Sequence, residues 1–310
     1  MEKYLIRRIL TAIPLLFAVS AITFLLVHMV PGDPVMLMLG EESHMTADNI
    51  EKIREEMGFN DPLYIQYLNY MKKLLSGDMG ESIRSRSPVL YEIKIRIPNT
   101  IELAALGMAL ALTLGISMGI ISALHHNKLI DNVSSAISLL GVSMPNFWLG
   151  LLRLLFFSIY LRWLPVISGP STGFKGLILP AVTLALSAQT AISRLTRSGM
   201  LEVMKNDYIR TARAKGAREG IVIMRHALRN SLIPVVTVVG AQFGGILAGT
   251  TIIESVFGRL GIGVLLVEAI LLKDMPIVQG VLLLVSASYI FINICVEAMY
   301  VWLDPRIRLN

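Results

Sequence analysis

Six long apolar runs constrain this chain more than any motif in it: Ile9 to Val30, Thr100 to Leu124, Val133 to Tyr160, Leu177 to Ser193, Ser231 to Ile253 and Pro276 to Leu303. A helix needs roughly 20 apolar residues to cross a hydrocarbon core of about 30 Å, and each run meets or nearly meets that length. Composition agrees, with 54% hydrophobic residues, 16% charged residues and a mean hydropathy of +0.65, values far from those of soluble domains. The expectation is an all-α integral membrane protein with six transmembrane helices. Lys3, Arg7 and Arg8 precede the first run as they would in a signal peptide, but its apolar stretch is too long for one, so it reads as a retained span. The fourth run is the least apolar. Pro180, Ser187, Gln189 and Thr190 shorten its clean stretch, although a proline near the start of a span is tolerated.

Basic residues close to the spans set the orientation. The amino-terminal tail carries Lys3, Arg7 and Arg8, and the connection 194–230 carries Arg194, Arg197, Lys205, Arg210, Arg213, Lys215, Arg218, Arg225 and Arg229. Arg306 and Arg308 follow the last run. With six spans all three regions share one face, so both termini and the basic loop are expected in the cytoplasm. The net charge of +6 is accounted for in this way, and nucleic acid is not an expected partner. Residues 31–98 fall on the opposite face, where eleven acidic side chains outnumber eight basic ones. That region should hold two helices. One opens at Thr46 as N-cap and stops at Gly58; the second runs from Pro62 to Leu75 with Ile65, Leu68, Met71, Leu74 and Leu75 at helical spacing. Such helices either cover the outer ends of the spans or offer a docking surface to a soluble partner.

The spans contain few ionisable groups, which are costly in a bilayer and usually functional when present. Glu102 and Glu297 lie near span ends, and Arg153 reads as the one clear intramembrane charge, reaching either a partner subunit, the outer interface or a substrate carboxylate. The absence of a carboxylate relay disfavours an ATPase-independent secondary transporter. No Gly-Lys dipeptide exists in the chain, so no phosphate-binding P-loop can form, and no H-E-x-x-H pattern occurs. His125 and His126 are adjacent and lack further ligands, which fits a membrane-boundary loop better than a metal site. Cys295, the single cysteine, reads as packing.

Two features concern helix contacts. Gly115 and Gly119, and then Gly240, Gly244 and Ala248, make small-residue faces that allow close approach. Met144, Pro145 and Asn146 interrupt the third run near its middle, where a proline removes a backbone donor and kinks a helix; with Arg153 they are the candidate residues of a translocation path.

The most informative segment is the basic loop. Asp207-Tyr-Ile-Arg-Thr-Ala-Arg-Ala-Lys-Gly216-Ala217, followed by Arg225-His-Ala-Leu-Arg-Asn230 and Pro234, predicts an amphipathic helix-turn-helix held between two spans. Arg210-Thr-Ala-Arg-Ala-Lys-Gly216 resembles the E-A-A-x-x-x-G signature of ABC importer permeases. Arg210 stands at the Glu position, and His226-Ala-Leu228-Arg229 replaces the usual I-x-L-P. Those departures resemble the dipeptide, oligopeptide and nickel branch. So do His28-Met-Val-Pro-Gly-Asp-Pro34, Gly58-x-x-x-Pro62-Leu-Tyr-x-Gln-Tyr67, Gly77-Asp78-Met-Gly80, Val142-Ser-Met-Pro-Asn-Phe-Trp148, Trp163-Leu-Pro165 and Asp304-Pro-Arg-Ile-Arg308.

The resemblance implies an ABC importer permease fold in a bacterial or archaeal cytoplasmic membrane, with an extracytoplasmic helical insertion after the first span. It divides the chain into residues 1–98, the first span with the outer region, and residues 99–310, a five-helix core carrying the coupling loop 194–230. It implies one half of a heterodimeric path for di- or oligopeptides, with nickel or a metal chelate as the alternative cargo. The implied partners are a second homologous permease, two ABC ATPase subunits, an extracytoplasmic substrate-binding protein and membrane lipid. The chain itself would carry no cofactor and no catalytic residue, ATP and Mg being bound by the ATPases. Arg210, Thr211, Ala212, Lys215, Gly216, Ala217, His226 and Arg229 are the residues expected to couple it to them. Ala212, Ala214 and Gly216 would keep the helix thin enough for a groove, and Gly216 would permit the turn.

Overall fold

A computed structural model describes residues 2–29, 47–56 and 58–303. Thr46, most of the His28 to Pro34 segment and Asp304 to Arg308 lie outside the described residues. Among the described residues, five helices are long and apolar enough to cross a bilayer. They are α1 (Glu2–Met29), α4 (Val89–Leu124), α7 (Gly173–Val203), α11 (Ile233–Val256) and α13 (Met275–Leu303). Between α1 and α4 come α2 (Ala47–Glu56) and α3 (Leu63–Leu75), the two helices expected in the outer region. Gly58, just beyond α2, takes a left-handed φ of 72°, which a glycine adopts without a Cβ penalty. Helix α4 starts at Val89, so the boundary drawn at residue 98 falls inside it, at Pro98.

The third apolar run is not a kinked helix. It divides into α5 (Leu129–Ser143) and α6 (Asn146–Arg153), and α6 continues as a π-helical turn over Leu154–Tyr160. Met144 is extended at φ −105°, ψ 137°, because a residue preceding proline is pushed out of the helical region. Pro145 then starts the next helix, with its missing N–H at a position that needs no donor. Six apolar runs therefore become five long helices and one broken pair.

The core lies where α4 packs against α7. Leu103, Ala104, Met108 and Ala111 meet Leu177, Leu184, Ala188 and Ile192 in one buried cluster. Small residues set this seam. A Cβ on Gly115 would come within 2.8 Å of Ile192, one on Gly119 within 2.5 Å of Thr196, and one on Gly107 within 3.0 Å of Leu184. The partner number rises with the glycine number, so the two helices run parallel. Gly240 and Gly244 do the same between α11 and α13, against Val296 and Tyr289, with the order reversed.

The run least apolar in sequence forms the most enclosed span: 72% of its most apolar window is buried, against 17–33% for the other four. Gln189, Thr190, Ser193 and Thr196 are all buried. Thr190 donates to the Leu186 carbonyl at 3.0 Å and approaches the Ser138 carbonyl at 3.3 Å. These polar groups face neighbouring helices rather than lipid, which is why the run looked weak by hydropathy alone.

A further helix, α12 (Ile262–Leu271), lies between α11 and α13. Its Ile262, Leu265 and Ala269 pack on Val89 and Ile93 of α4 and on Ile277 and Val281 of α13. Ten residues are too few to cross a bilayer, and no span was expected there.

Candidate functional site

The basic loop begins where α7 ends. After Met204 to Asn206, α8 (Asp207–Ala214) runs for two turns, and α9 (Glu219–Ile221), a π-helical segment over Val222–Ala227 and α10 (Leu228–Ser231) lead back to α11. The helix-turn-helix is therefore present, with an irregular second arm.

Its turn is a glycine-dependent helix stop. Gly216 has φ 79°, its N–H donates to the Arg213 carbonyl at 2.9 Å, and the Ala217 N–H reaches back to the Ala212 carbonyl at 3.2 Å. This pair of bonds is the Schellman arrangement, which places a left-handed residue, usually glycine, just past the helix end. Nothing lies within 4 Å of where a Cβ on Gly216 would sit. The glycine is required by its backbone angle, not by a lack of space.

The two faces of α8 differ in chemistry. Ile209 is fully buried in an apolar cluster with Met200 from the end of α7, Ala123 from the end of α4, and Val222, Ala227 and Leu228 from the second arm. Ala212 and Ala217 pack at the edge of that cluster. Ala212 is half-buried and packs partly against this cluster. Arg210, Thr211, Ala214, Lys215 and Gly216 are exposed. On the second arm Arg229 is exposed and His226 half-buried, with the His226 carbonyl accepting from Asn230 Nδ2 at 3.3 Å. Asn230 also donates to the Tyr208 hydroxyl at 2.9 Å. Arg213 bridges the two arms by donating twice to Glu219, at 3.1 and 2.6 Å; those bonds hold the Glu219 carboxyl below its ordinary range.

A second cluster beside the loop was not anticipated. Arg197 of α7 donates from Nε and Nη2 to the two carboxylate oxygens of Asp131, both at 2.7 Å. Ser122 of α4 and the Asn127 N–H complete the shell around that carboxylate. Asp131 is buried, yet these hydrogen bonds, Arg197 first and Ser122 next, hold it well below the usual carboxylate range against the effect of burial. The cluster joins α4, α5 and α7 near Ala123 and Met200, which touch the coupling helix. In the sequence Arg197 signals only orientation, and the single pointer to the pair is an isolated Asp at the edge of an apolar run. His125 and His126 do not converge on one point: His125 Nδ1 meets the Ile121 carbonyl, and His126 Nδ1 lies 3.3 Å from Asp131.

The other end of the bundle holds further buried ionisable groups, of which Glu254 lies within a membrane-length helix, so Arg153 is not alone there. Glu254 is fully buried, accepting from Thr100 at 2.6 Å and from the Gly263 N–H at 2.8 Å. Arg259, also buried, pairs with Glu102 at 2.5 Å and donates to the Asn99 carbonyl and to Ser168. Asp274 accepts from Ser82 and from the Ile83 and Arg84 amides. Arg153 differs from all of these. It ends α6 on the side that carries Gly150 and Phe157 inward, and its Nη1 is buried without a hydrogen-bond partner. Asn146 and Met144 are half-buried and Pro145 exposed, at the break preceding that helix.

Two family descriptions match the sequence. "Binding-protein-dependent transport system inner membrane component" covers residues 115–309, and its N-terminal counterpart covers residues 1–104. The dipeptide transport system permease protein DppB of Alkalihalophilus pseudofirmus is 40% identical over 334 residues, covering 99% of this chain and 100% of that protein. The glutathione transport system permease protein GsiC of Escherichia coli K12 is 42% identical over 308 residues, covering 99% of each. Among solved structures, an inward-facing form of the MetNI methionine ABC transporter superposes with a TM-score of 0.58 at 16% identity, over 69% of this chain and 97% of that one. At that identity the likeness is one of fold.

Proposed function

The chain belongs to the binding-protein-dependent transport system inner membrane components, and on that premise we propose that it forms half of an import path for di- or oligopeptides. It is a multi-pass permease subunit of an ABC importer in the cytoplasmic membrane, not an enzyme. The observation that carries the cargo reading is near-complete alignment with relatives named for dipeptide and glutathione transport.

On this reading Arg210, Thr211, Ala214, Lys215 and Gly216 face a groove on an ATPase subunit, with His226 and Arg229 behind them. Ala212 and Ala217 hold α8 to the ends of α4 and α7. ATP and Mg are bound by two partner ATPases, a second permease completes the path, and a binding protein delivers cargo at the other face. Closure of the ATPases pushes α8, and the Ile209 cluster with the Asp131–Arg197 pair carries the displacement into the helix bundle as a rigid-body step. Arg153, a cation with a buried and unpaired Nη1, meets the carboxylate of a peptide near the break at Met144, Pro145 and Asn146.

Uptake measured in cells lacking this chain tests both parts. Labelled di- and oligopeptides should enter only when the intact chain is restored. Arg153→Leu should assemble normally yet lose peptide uptake, and Arg153→Lys should recover part of it. Selective loss of nickel uptake in the deleted strain would overturn the peptide assignment, and normal uptake by Arg153→Leu would remove Arg153 from the path.

A further inference from the structure

The carboxylate of Asp131 has no acceptor site left for its neighbour His126. Each of its oxygens already accepts two hydrogen bonds: Oδ1 from Ser122 and, at 2.7 Å, from Arg197 Nε; Oδ2 from Arg197 Nη2 at 2.7 Å and from the Asn127 N–H at 3.0 Å. Two donors fill the lone pairs of a carboxylate oxygen. His126 Nδ1 lies 3.3 Å from that same Oδ2 and 3.1 Å from Arg197 Nη2. One ring nitrogen cannot serve both contacts, since the first needs it as a donor and the second as an acceptor. A guanidinium only donates, so the shorter contact requires Nδ1 to be unprotonated. The second Nη2 hydrogen of Arg197 then ends on a neutral imidazole that carries its proton on Nε2, and the network closes.

A proton on Nδ1 removes that arrangement. The ring would present an N–H to a cation that only donates and to a carboxylate oxygen without a free lone pair, so the imidazole or the guanidinium must move. Imidazole is the side chain whose ordinary charge change falls between about pH 5 and 8, and His126 is exposed and able to take up a proton. The charged groups that face it are Asp131 of α5 and Arg197 of α7, while α4 supplies the Ser122 hydroxyl to the same carboxylate. His125 turns its Nδ1 to the Ile121 carbonyl. Lys128 of the same turn and Arg194 of α7 share no hydrogen bond or ion pair with His126 among the described residues.

The cluster stands directly behind the loop. Ser122 precedes Ala123 on α4, Arg197 lies one turn before Met200 on α7, and Ala123 and Met200 share a buried cluster with Ile209 of α8. We propose that His126 is a proton-sensitive latch on this contact. Neutral, it holds Arg197 on Asp131 and keeps the ends of α4, α5 and α7 together; protonated, it opens the cluster and weakens the stroke from α8, so import slows as the loop side of the membrane acidifies. The inference rests on the reading of α8 as the coupling helix.

The test uses the intact transporter in nanodiscs, with ATP hydrolysis stimulated by binding protein and a dipeptide measured from about pH 8 down to about pH 5.5, the range in which an imidazole titrates. His126→Asn puts a carbonyl oxygen where Nδ1 stands and accepts from Arg197 at every pH, so dividing by its activity removes the pH dependence of the ATPases themselves. The ratio of wild type to His126→Asn should be near one at the alkaline end and fall several-fold at the acid end. His126→Lys, which cannot accept, should be low throughout. A flat ratio, or a fully active His126→Lys, would overturn the proposal, and melting temperatures of the same samples then say which link broke. If wild type and His126→Asn shift alike with pH, His126 does not hold the network. If wild type alone loses stability in acid, the network does open, and it is the coupling reading that fails.

Discussion

The Glu254 end of this molecule and the helix α8 at the opposite end treat their charges in opposite ways. At the Glu254 end, Glu254, Arg259 and Asp274 are buried and each is satisfied by groups of the same chain. At the loop end, α8 buries one apolar anchor, Ile209, and leaves Arg210, Lys215 and Arg218 exposed. Lys215 and Arg218 have no ion pair among the described residues. A closed polar network fixes helices relative to one another, because removing any member leaves a buried group unmatched. An exposed basic rim on a rigid anchor costs the chain little and leaves its hydrogen-bonding capacity for another surface. The Glu254 end reads as the fixed frame, and the loop as the part made to be pushed.

Glu254→Leu should cut deepest. It strips the acceptor from Thr100 and the Gly263 amide inside the bundle and should cost on the order of 3 kcal/mol, seen as a large drop in melting temperature and in monodisperse yield. Asp131→Asn comes next. Its twofold bridge to Arg197 is partly open to solvent, so a loss of roughly 2 kcal/mol is expected. A smaller melting shift for Glu254→Leu than for Asp131→Asn would break the contrast between the two ends. Arg213→Ala should do least, because the Arg213–Glu219 pair is exposed and such pairs contribute about 0–1 kcal/mol. Its small melting shift should vanish in high salt; a shift comparable to that of Asp131→Asn would mean that the loop, too, is held by its charges.

Much of this architecture was legible in the sequence, for reasons that also explain what was not. Apolar length marks a span because a bilayer has a fixed thickness, so α1, α4, α11 and α13 stood out. Gly115, Gly119, Gly240 and Gly244 pointed to close seams because only a missing side chain permits such approach. Hydropathy undervalued α7, since Gln189 and Thr190 face protein, and it passed over α12, whose ten apolar residues meet no membrane criterion. Pro145 announced a disturbance but not its kind: whether a helix bends or stops depends on whether the chain beyond finds its own packing, as α6 does around Gly150. In the loop, the stop at Gly216 was readable from local rules, whereas the half-burial of Ala212 depends on Met200 and Leu228. Asp131 on α5 and Arg197 on α7 are 66 positions apart, and only the packing of α5 against α7 brings them together.

The most direct test of the loop as a coupling surface is retention of the ATPase subunits by Ala214→Trp, with Gly216→Ala beside it. Ala214 is exposed on α8 with an ordinary helical backbone, so the tryptophan adds bulk at the rim without strain. An alanine at Gly216 adds strain of about 1 kcal/mol but almost no bulk. The account predicts that Ala214→Trp folds normally, fails to co-purify the ATPases and loses uptake, while Gly216→Ala retains them at reduced stability. Normal retention and uptake by Ala214→Trp would contradict it.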